Sequence, residues 1–362
     1  FLNYGGGFSS DTKRDIATDT AGMKYVVTPE VAGRELRLTT GVDFSDSRNK
    51  IVSSDGPDLM IRKESAGVYL LSDYKLTEKL SVNAGARREE AEYIFDQYNV
   101  ASYTTSAPGL NAYSGGIKYE YAPGSNVFAS AGKTFRFLAT DEWYSEWTGL
   151  NTALKQQSGV EYQAGVVHQL SALRLDATGF LIKNRDEIFV DPTAGGGLGA
   201  NSNYDRTERM GLELGADLDL RRAFEVSCLK SWDVFADATV QSPRFKEGGF
   251  VDKVIPFVPR RQFRVGMGAG LPGGLGFDVA GRYTGSQFPI NDVGNTRPKV
   301  KPVVVADARV RFAWKSAEVY MGVNNLFNEK YYDYVAYGQF SGNTDYYPAI
   351  ERNYVAGMKY KF

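Results

Sequence analysis

Two polar segments of the sequence place aromatic rings beside an arginine, a combination that can bind a flat, negatively charged ligand. The rings supply surfaces for stacking, and a guanidinium group supplies positive charge. One segment follows Arg136, and the other precedes Arg352. Packing of the loops on one another, or an aromatic girdle, would use the same residues, and these alternatives stay open. The candidate ligand-binding residues are Arg136, Trp143, Tyr144, Trp147, Tyr337, Phe340, Tyr346 and Tyr347.

The composition excludes several other kinds of site. One His and one Cys among 362 residues exclude an internal disulfide and a Cys/His zinc site. The 42 Lys and Arg residues balance 43 Asp and Glu residues, which argues against a protein that binds nucleic acid. We therefore do not expect an enzyme, a resident metal or a cofactor.

The elements that position the candidates are predicted to be β-strands. From Val304 to Trp314 every second residue is apolar, and the residues between include Asp307 and Arg309. A period of two puts these two sets on opposite faces of a strand. No helical stripe of comparable length is found, so the sequence predicts an all-β protein. The same alternation recurs in 212–220, 234–240, 263–271 and 354–362.

About sixteen strands are expected along the chain, joined alternately by short turns and long polar segments. The strands are predicted near 1–7, 14–29, 34–53, 62–75, 78–97, 110–122, 126–137, 157–169, 172–190, 205–220, 231–243, 258–271, 275–289, 300–314, 317–337 and 350–362. The long polar segments are predicted near 54–61, 98–109, 138–156, 191–204, 243–257, 290–299 and 338–349.

Strand length favours a transmembrane antiparallel β-barrel over a soluble sandwich or propeller. The apolar alternation persists for about 9 to 11 residues, the length that crosses a bilayer at a tilt, whereas soluble strands are usually shorter. The polar face is also strongly charged, which a water-filled or plugged lumen accepts and a dry core does not. The candidate lumen or plug contacts are Glu161, Arg264, Arg282, Asp307 and Arg309.

The remaining reactive residues are interpreted as structural. Short turns face the periplasm in such barrels, and His168 is expected beside one, without a second histidine to form a catalytic or haem site. Cys228 is expected to be a buried or turn thiol. The glycine-rich stretches 195–200 and 266–274 are not followed by a helix, so the mechanism of a phosphate-binding loop is absent.

Several segments resemble TonB-dependent outer-membrane receptors. The run GVNNLFNEKYYDY at 322–334 and the end YYPAIERNYVAGMKYKF at 346–362 are similar to the last two strands and last extracellular loop of that family. The segment GKTFRFLATDEWYSEW at 132–147 is similar to a family motif, with Phe137-Leu138 where Ala-Pro is usual. PFVPRRQFRVGM at 256–267 resembles the entry of a strand from an extracellular loop.

The resemblance implies a larger architecture than 362 residues provide. The family has an N-terminal plug and twenty-two strands, while about sixteen strands here occupy about 23 residues each. We expect residues 1–362 to be the C-terminal portion of the barrel domain, with the plug and first strands absent. A complete sixteen-stranded porin, a passive diffusion channel, is the alternative, since an even strand number suits it.

The resemblance also implies a function and a set of partners. It implies a receptor in the outer membrane of a Gram-negative bacterium that takes up a scarce nutrient, with a ferric siderophore as the first candidate. Cobalamin, another metal chelate or a small oligosaccharide are alternatives, and haem is disfavoured because the loops lack histidine. The expected partners are the TonB-ExbB-ExbD complex, acting through a TonB box upstream of Phe1, lipopolysaccharide, and the barrel-assembly machinery, which would bind Phe362.

Overall fold

The computed structural model describes residues 12–54, 56–145, 148–191, 194, 199–338 and 342–361. Almost all regular structure in these residues is β-strand, and α1 (Leu220–Ala223) is the one helix among them. That helix has four residues, and none in this part of the chain is long and apolar enough to cross a membrane. The all-β prediction is confirmed.

Sixteen strands form one large antiparallel sheet. Its order is β1, β3 to β7, β10 to β17 and β20, while β2 pairs with β3, and the pairs β8–β9 and β18–β19 are separate hairpins. The strands are β1 (Thr12–Val27), β2 (Glu30–Val31), β3 (Arg34–Ser53), β4 (Leu59–Lys75), β5 (Leu80–Gln97), β6 (Ala101–Ala122), β7 (Ser125–Arg136), β8 (Tyr144–Ser145), β9 (Gly149–Leu150), β10 (Gln157–Gln169), β11 (Leu173–Asp191), β12 (Ala200–Asp219), β13 (Ser231–Phe245), β14 (Arg261–Gly270), β15 (Leu275–Thr284), β16 (Val303–Trp314), β17 (Ala317–Asn324), β18 (Tyr332–Tyr337), β19 (Thr344–Pro348) and β20 (Asn353–Tyr360).

The large sheet without β2 has fifteen strands, and each of them corresponds to a predicted strand. The boundaries 34–53 and 157–169 agree to the residue, and the predicted strand 1–7 lies outside the described residues. The chain forms two compact units, one of residues 12–117, 130–161 and 184–204, the other of residues 118–129, 162–183 and 205–361.

The second unit has one apolar and one polar sheet face. On one face, Val310 lies between Phe277 and Met321, and Phe312 lies between Leu275 and Val319. Apart from the partly buried Leu275, these apolar side chains are exposed, as expected for a surface that meets lipid. On the other face, Asp307 lies opposite Ala280, and Asp278 opposite Arg309. The predicted alternation is therefore present in the sheet.

The first unit adds a hydrophobic core on one face of the sheet. Ile61 lies opposite Asn49 and Phe95, and Tyr93 opposite Lys63, so these side chains share a face. Ile61 is fully buried and Tyr93 is almost so. The chain between β7 and β10, residues 137–156, lies against them and is called the first loop below.

Several predicted boundaries are wrong. The predicted strand 275–289 ends at Thr284, and β12 begins at Ala200, inside the predicted polar segment 191–204. Residues 101–109 belong to β6 and not to a polar loop, because pairing continues past the apolar part of the strand and satisfies the backbone groups there. The connection predicted at 54–61 is likewise shorter, since β4 begins at Leu59. The predicted strand 317–337 is two strands, β17 and β18, separated by a turn in which Asn325 and Asn328 have positive φ.

Candidate functional site

The turn after β17 fixes the start of the last loop, residues 325–352. The Asn325 side chain accepts from the Glu329 N–H at 2.8 Å and donates to the Glu329 carbonyl at 2.9 Å, and Asn325 is 3% exposed. The Asn325 N–H donates to Asp307 Oδ1 at 2.8 Å, and Arg282 reaches both Asp307 at 3.4 Å and the Tyr331 hydroxyl at 3.2 Å. The NNLFNE run thus anchors the loop to charged residues of β15 and β16.

The β18–β19 hairpin of this loop is held by two neighbouring loops. Ile290 exchanges backbone hydrogen bonds with Val335 and Tyr337, at 2.9 and 3.0 Å. Arg297 lies over the Tyr337 ring at 4.0 Å and donates to its hydroxyl, and the Phe257 ring packs on Tyr334 at 5.6 Å. These contacts fix the position of the hairpin against the two loops.

Four tyrosines of the hairpin form two exposed ring pairs, together called the tyrosine cluster. Tyr332 and Tyr346 have ring centroids 4.8 Å apart, and Tyr334 and Tyr347 are 5.3 Å apart with an edge-to-face arrangement. Tyr346 and Tyr347 are more than half exposed. Burial, and then the neighbouring Tyr347, raise the pKa of Tyr334 above its ordinary value. Exposed pairs of aromatic rings can bind a planar ligand.

The predicted residues of the last loop have different surroundings. Tyr346 and Tyr347 lie in the tyrosine cluster, whereas Tyr337 is engaged by Arg297. Phe340 lies outside the described residues. The sequence prediction omitted Tyr332, Tyr334 and Arg297. The two tyrosines could have been found from the sequence, because they belong to the aromatic run YYDY just before the hairpin turn. Arg297 could not, because it reaches Tyr337 only through the contact between two loops that are distant in sequence.

In the first loop, Trp143 is a core residue. It is 2% exposed, and its ring packs on Tyr93 at 5.3 Å and on Tyr103 at 5.9 Å. Tyr144 is partly buried and packs on Phe95 at 5.6 Å. The predicted direct contact between Trp143 and a ligand does not fit this environment, because the Trp143 ring faces other side chains and not solvent. Trp147 lies outside the described residues.

Polar contacts hold the first loop in place. Arg136 forms an ion pair with Glu142, at 2.8 Å, and Glu142 also accepts from the Ala139 N–H at 2.8 Å. The Asn201 side chain donates to the Glu142 carbonyl at 2.8 Å, and Asn203 bonds the backbone of Lys155 through both its oxygen and its nitrogen. Arg136 is thus partly exposed but already paired.

The polar sheet faces carry a repeated arrangement of glycine, aromatic ring and arginine. Phe235 lies over Gly266, where an added Cβ would meet the ring at 2.5 Å, and Arg264 lies over that ring at 4.7 Å. Tyr320 lies in the same way over Gly357, with Arg309 at 5.0 Å. In the first unit, Tyr69 covers Gly41 and carries Arg87 at 5.8 Å. Glycine is required because only its missing side chain lets the ring lie flat on the sheet.

The predicted lumen residues therefore lie on polar strand faces with definite contacts. Arg264 and Arg309 stack on rings, and Arg282 pairs with Asp307. Glu161 lies on β10 and interacts with neighbouring groups. The sequence prediction missed Phe235 and Tyr320, although the alternation of Gly266, Gly268 and Gly270 on the polar face gave a signal for a ring such as Phe235.

The lone histidine and cysteine lie at short connections. His168 stands at the end of β10, where its Nδ1 contacts the Tyr121 hydroxyl at 2.8 Å and the rings stack at 6.0 Å. Cys228 is exposed in the connection after α1, so the predicted turn position agrees. In the described part of the chain, no group of three His, Cys, Asp or Glu residues is arranged to hold a metal ion.

Comparison with known proteins places this sheet in a family. The family model "TonB dependent receptor-like, beta-barrel" matches residues 2–326. The siderophore receptor PiuA from Acinetobacter baumannii is 17% identical, with a TM-score of 0.76 over 97% of this chain and 56% of that one. The copper transporter OprC is 17% identical, with a TM-score of 0.77 over 97% and 57%.

A third solved structure, the ferric-catecholate import receptor Fiu from E. coli K12 in its closed form, has a TM-score of 0.71 at 17% identity, over 96% of this chain and 55% of that one. The chain thus spans about half the length of these structures. At such identities the likeness shows the fold, and the family model shows the membership. With an antiparallel sheet of long strands, apolar on one face and charged on the other, the chain belongs to the TonB-dependent receptor family and forms part of its β-barrel.

Proposed function

We propose that residues 1–362 are the C-terminal portion of a receptor barrel that binds a scarce nutrient, first of all a ferric siderophore, and passes it inward past a plug. The family resides in the outer membrane, and its members act as receptors and transporters. The observation that carries the proposal is the tyrosine cluster. It is exposed, lies at the end of the sheet away from the short turns, and is held by two neighbouring loops.

Each unit by itself offers rings and cations for ligand binding. Tyr346 and Tyr347 would stack on flat groups of the ligand, while Arg297 and Tyr337 keep the hairpin in position. In the first unit, Tyr144 of the first loop and Arg136 at the end of β7 are the candidates that keep partial exposure, and Trp143 would support them from the core. Trp147 and Phe340 remain predicted contacts. The ligand class agrees with the names of PiuA and Fiu, which are receptors for iron chelates.

The proposed transport step uses the charged face of the sheet. Arg264, Arg282, Asp307, Arg309 and Glu161 would line an aqueous lumen and contact a plug. Energy would come from the TonB-ExbB-ExbD complex pulling on that plug, so no covalent chemistry is required of this chain. A ligand that binds the closed and open states with different affinity would shift their populations. Assembly would use Phe362, and the outer surface would meet lipopolysaccharide.

Growth of a deletion strain on single iron sources tests the proposal. The strain should lose growth on one ferric siderophore and keep growth on the others, and the natural-length protein should restore the loss. Equal growth on every iron source would contradict the siderophore assignment. Growth that depends instead on cobalamin or on a copper chelate would identify one of the other ligand classes; OprC, for comparison, is named as a copper transporter.

A further inference from the structure

The connection between β12 and β13 is longer than the other connections at the same end of the second unit. It covers the eleven residues 220–230, including α1, and is called the basic turn. The Asp219 N–H donates to the Ala172 carbonyl at 2.8 Å, and Arg222 donates to the Ser171 carbonyl at 2.7 Å. These two contacts fix the basic turn against the turn between β10 and β11. The other connections at this end have two to four residues and lie at 123–124, 170–172, 271–274 and 315–316.

The basic turn exposes an aromatic ring at the end of the apolar sheet face. Phe224 is 66% exposed, although a hydrogen bond from its N–H to the Leu220 carbonyl, at 3.0 Å, fixes its backbone. Its ring lies 6.3 Å from that of Trp232, whose Nε1 donates to Met267 Sδ at 3.5 Å. Trp232 lies opposite Ala269, and thus on the same face as Met267. Phe224 therefore continues the lipid-facing surface beyond the ends of β12 and β13.

The basic turn also carries an excess of positive charge. Its cations are Arg221, Arg222 and Lys230, and its acidic residue is Glu225. Within the described part of the chain, none of these four side chains makes an ion pair. Arg221 and Lys230 are exposed, whereas Arg222 is already bonded to the Ser171 carbonyl. Arg221 and Lys230 are therefore cations available to a partner outside the chain.

The carboxylates at the ends of the two strands lie on the other sheet face. Asp219 and Asp233 are opposite each other in the register, on the polar face, and Asp219 accepts from the Arg222 N–H at 2.8 Å. A ring at the edge of a lipid-facing surface lies at the level of the lipid headgroups, and basic side chains there attract phosphate groups. Phe224, Arg221 and Lys230 thus combine an apolar contact with positive charge at that level.

We propose that the basic turn binds an anionic phospholipid of the periplasmic leaflet, with Phe224 between the headgroups and Arg221 and Lys230 on the phosphate. A zwitterionic phospholipid offers the same phosphate, but its ammonium group repels the two cations, so the anionic headgroup is preferred. The site follows from membership of the barrel family, which places the apolar face in lipid and the short turns at the periplasmic side. It needs no transported nutrient, so a failed growth test would leave it standing.

Photo-crosslinking in lipid nanodiscs tests the site in the natural-length protein. The nanodiscs would consist of phosphatidylethanolamine with a trace of phosphatidylglycerol that carries a photoreactive group near its headgroup. Peptide mass spectrometry then measures the crosslinking yield on residues 220–230. Unlabelled phosphatidylglycerol added to the bilayer should lower this yield at least about fivefold, whereas the same amount of zwitterionic phosphatidylcholine should leave it nearly unchanged.

Two double variants separate this site from a general effect of charge. Arg221→Gln with Lys230→Gln removes both cations and should lower the crosslinking yield at least about fivefold, while heat-modifiable gel migration shows that the barrel still folds. Arg311→Gln with Lys359→Gln removes the same two charges from the polar face and should keep the wild-type yield. In the native chain, Arg311 pairs with Asp278 at 3.7 Å and Lys359 with Glu318 at 3.9 Å.

Three results would overturn the proposal. Equal competition by phosphatidylglycerol and phosphatidylcholine would mean that the basic turn only touches the bilayer. A wild-type yield in the variant without Arg221 and Lys230 would show that these cations bind no phosphate. An equal loss of yield in both double variants would assign the effect to net charge and not to a site.

Discussion

At the scale of single residues, the burial of Trp143 predicts that its substitution lowers the stability of the first loop and does not remove a direct ligand contact. Trp143→Ala removes a ring that packs on Tyr93 and Tyr103, so we expect a loss of about 3–5 kcal/mol in local stability. The first loop should become sensitive to limited proteolysis and gain hydrogen exchange. Tyr346→Ala, at an exposed position, is the control and should leave both readouts near wild type. An equally protected first loop in Trp143→Ala would contradict the assignment to the core.

Asn325 combines an uncommon backbone conformation with two side-chain hydrogen bonds. Its φ of 53° is tolerated by asparagine and glycine, whereas the side chain holds Glu329 from both sides. Asn325→Ala should therefore cost more than Asn325→Gly, and both should loosen the last loop, since each lost buried bond costs about 1–3 kcal/mol. Hydrogen exchange of 332–348 measures this. Equal protection in Asn325→Gly and wild type would show that the side chain is dispensable.

At the scale of strands, the glycine–aromatic pairs predict a sharp difference between two glycines of neighbouring strands. Gly266→Ala would force its Cβ against the Phe235 ring, and overpacking of this kind costs about 1–3 kcal/mol. Gly281→Ala, with open space around the added atom, should be neutral. The folded fraction on heat-modifiable gel migration compares them. Phe235→Ala combined with Gly266→Ala should recover part of the loss; no recovery would place the strain elsewhere.

The strands also show what a sequence can and cannot predict. Strand β16 was predictable because its period-two pattern from Val304 to Trp314 follows from one apolar and one polar face. Residues 101–109 were not, because Ser, Thr, Pro and Gly signal a loop locally while pairing with a neighbouring strand makes them β6. The end of β17 at Asn324 was not predicted for a similar reason, because aromatic residues occur on both sides of the turn and suggest one continuous strand.

The candidate site was predictable in part. Exposed tyrosines near 346 follow from a polar, aromatic segment at a strand end. The burial of Trp143 does not, because its main partner, Tyr93, lies fifty positions earlier on another strand and no local pattern links the two. The role of Phe235 likewise depends on the register that sets it opposite Gly266. Contacts between distant segments decide which of the predicted aromatic residues are buried in the core and which are exposed to a ligand.

The β18–β19 hairpin predicts how binding should respond to loss of its rings. Tyr346→Ala and Tyr347→Ala each remove one exposed ring, and an aromatic contact with the ligand is worth about 0.5–1.5 kcal/mol beyond area, so affinity for the ferric siderophore should fall several-fold in each. Tyr25→Ala, exposed on β1 close to a short turn, is the control. Fluorescence quenching by the chelate measures the affinity. Unchanged affinity in both variants would remove the tyrosine cluster from the binding site.

At the scale of the whole molecule, a receptor and a porin differ in conductance. A receptor whose lumen holds a plug should be closed in a planar bilayer without an energised partner, because charged wall residues such as Arg264 would pair with groups inside the lumen. A porin of sixteen strands leaves that face in contact with water and conducts at once. We therefore expect the natural-length protein to show no steady open channels, and urea, which weakens packing of the plug, to open large ones reversibly. Steady ion-selective conductance of the untreated protein would contradict the receptor and favour the porin.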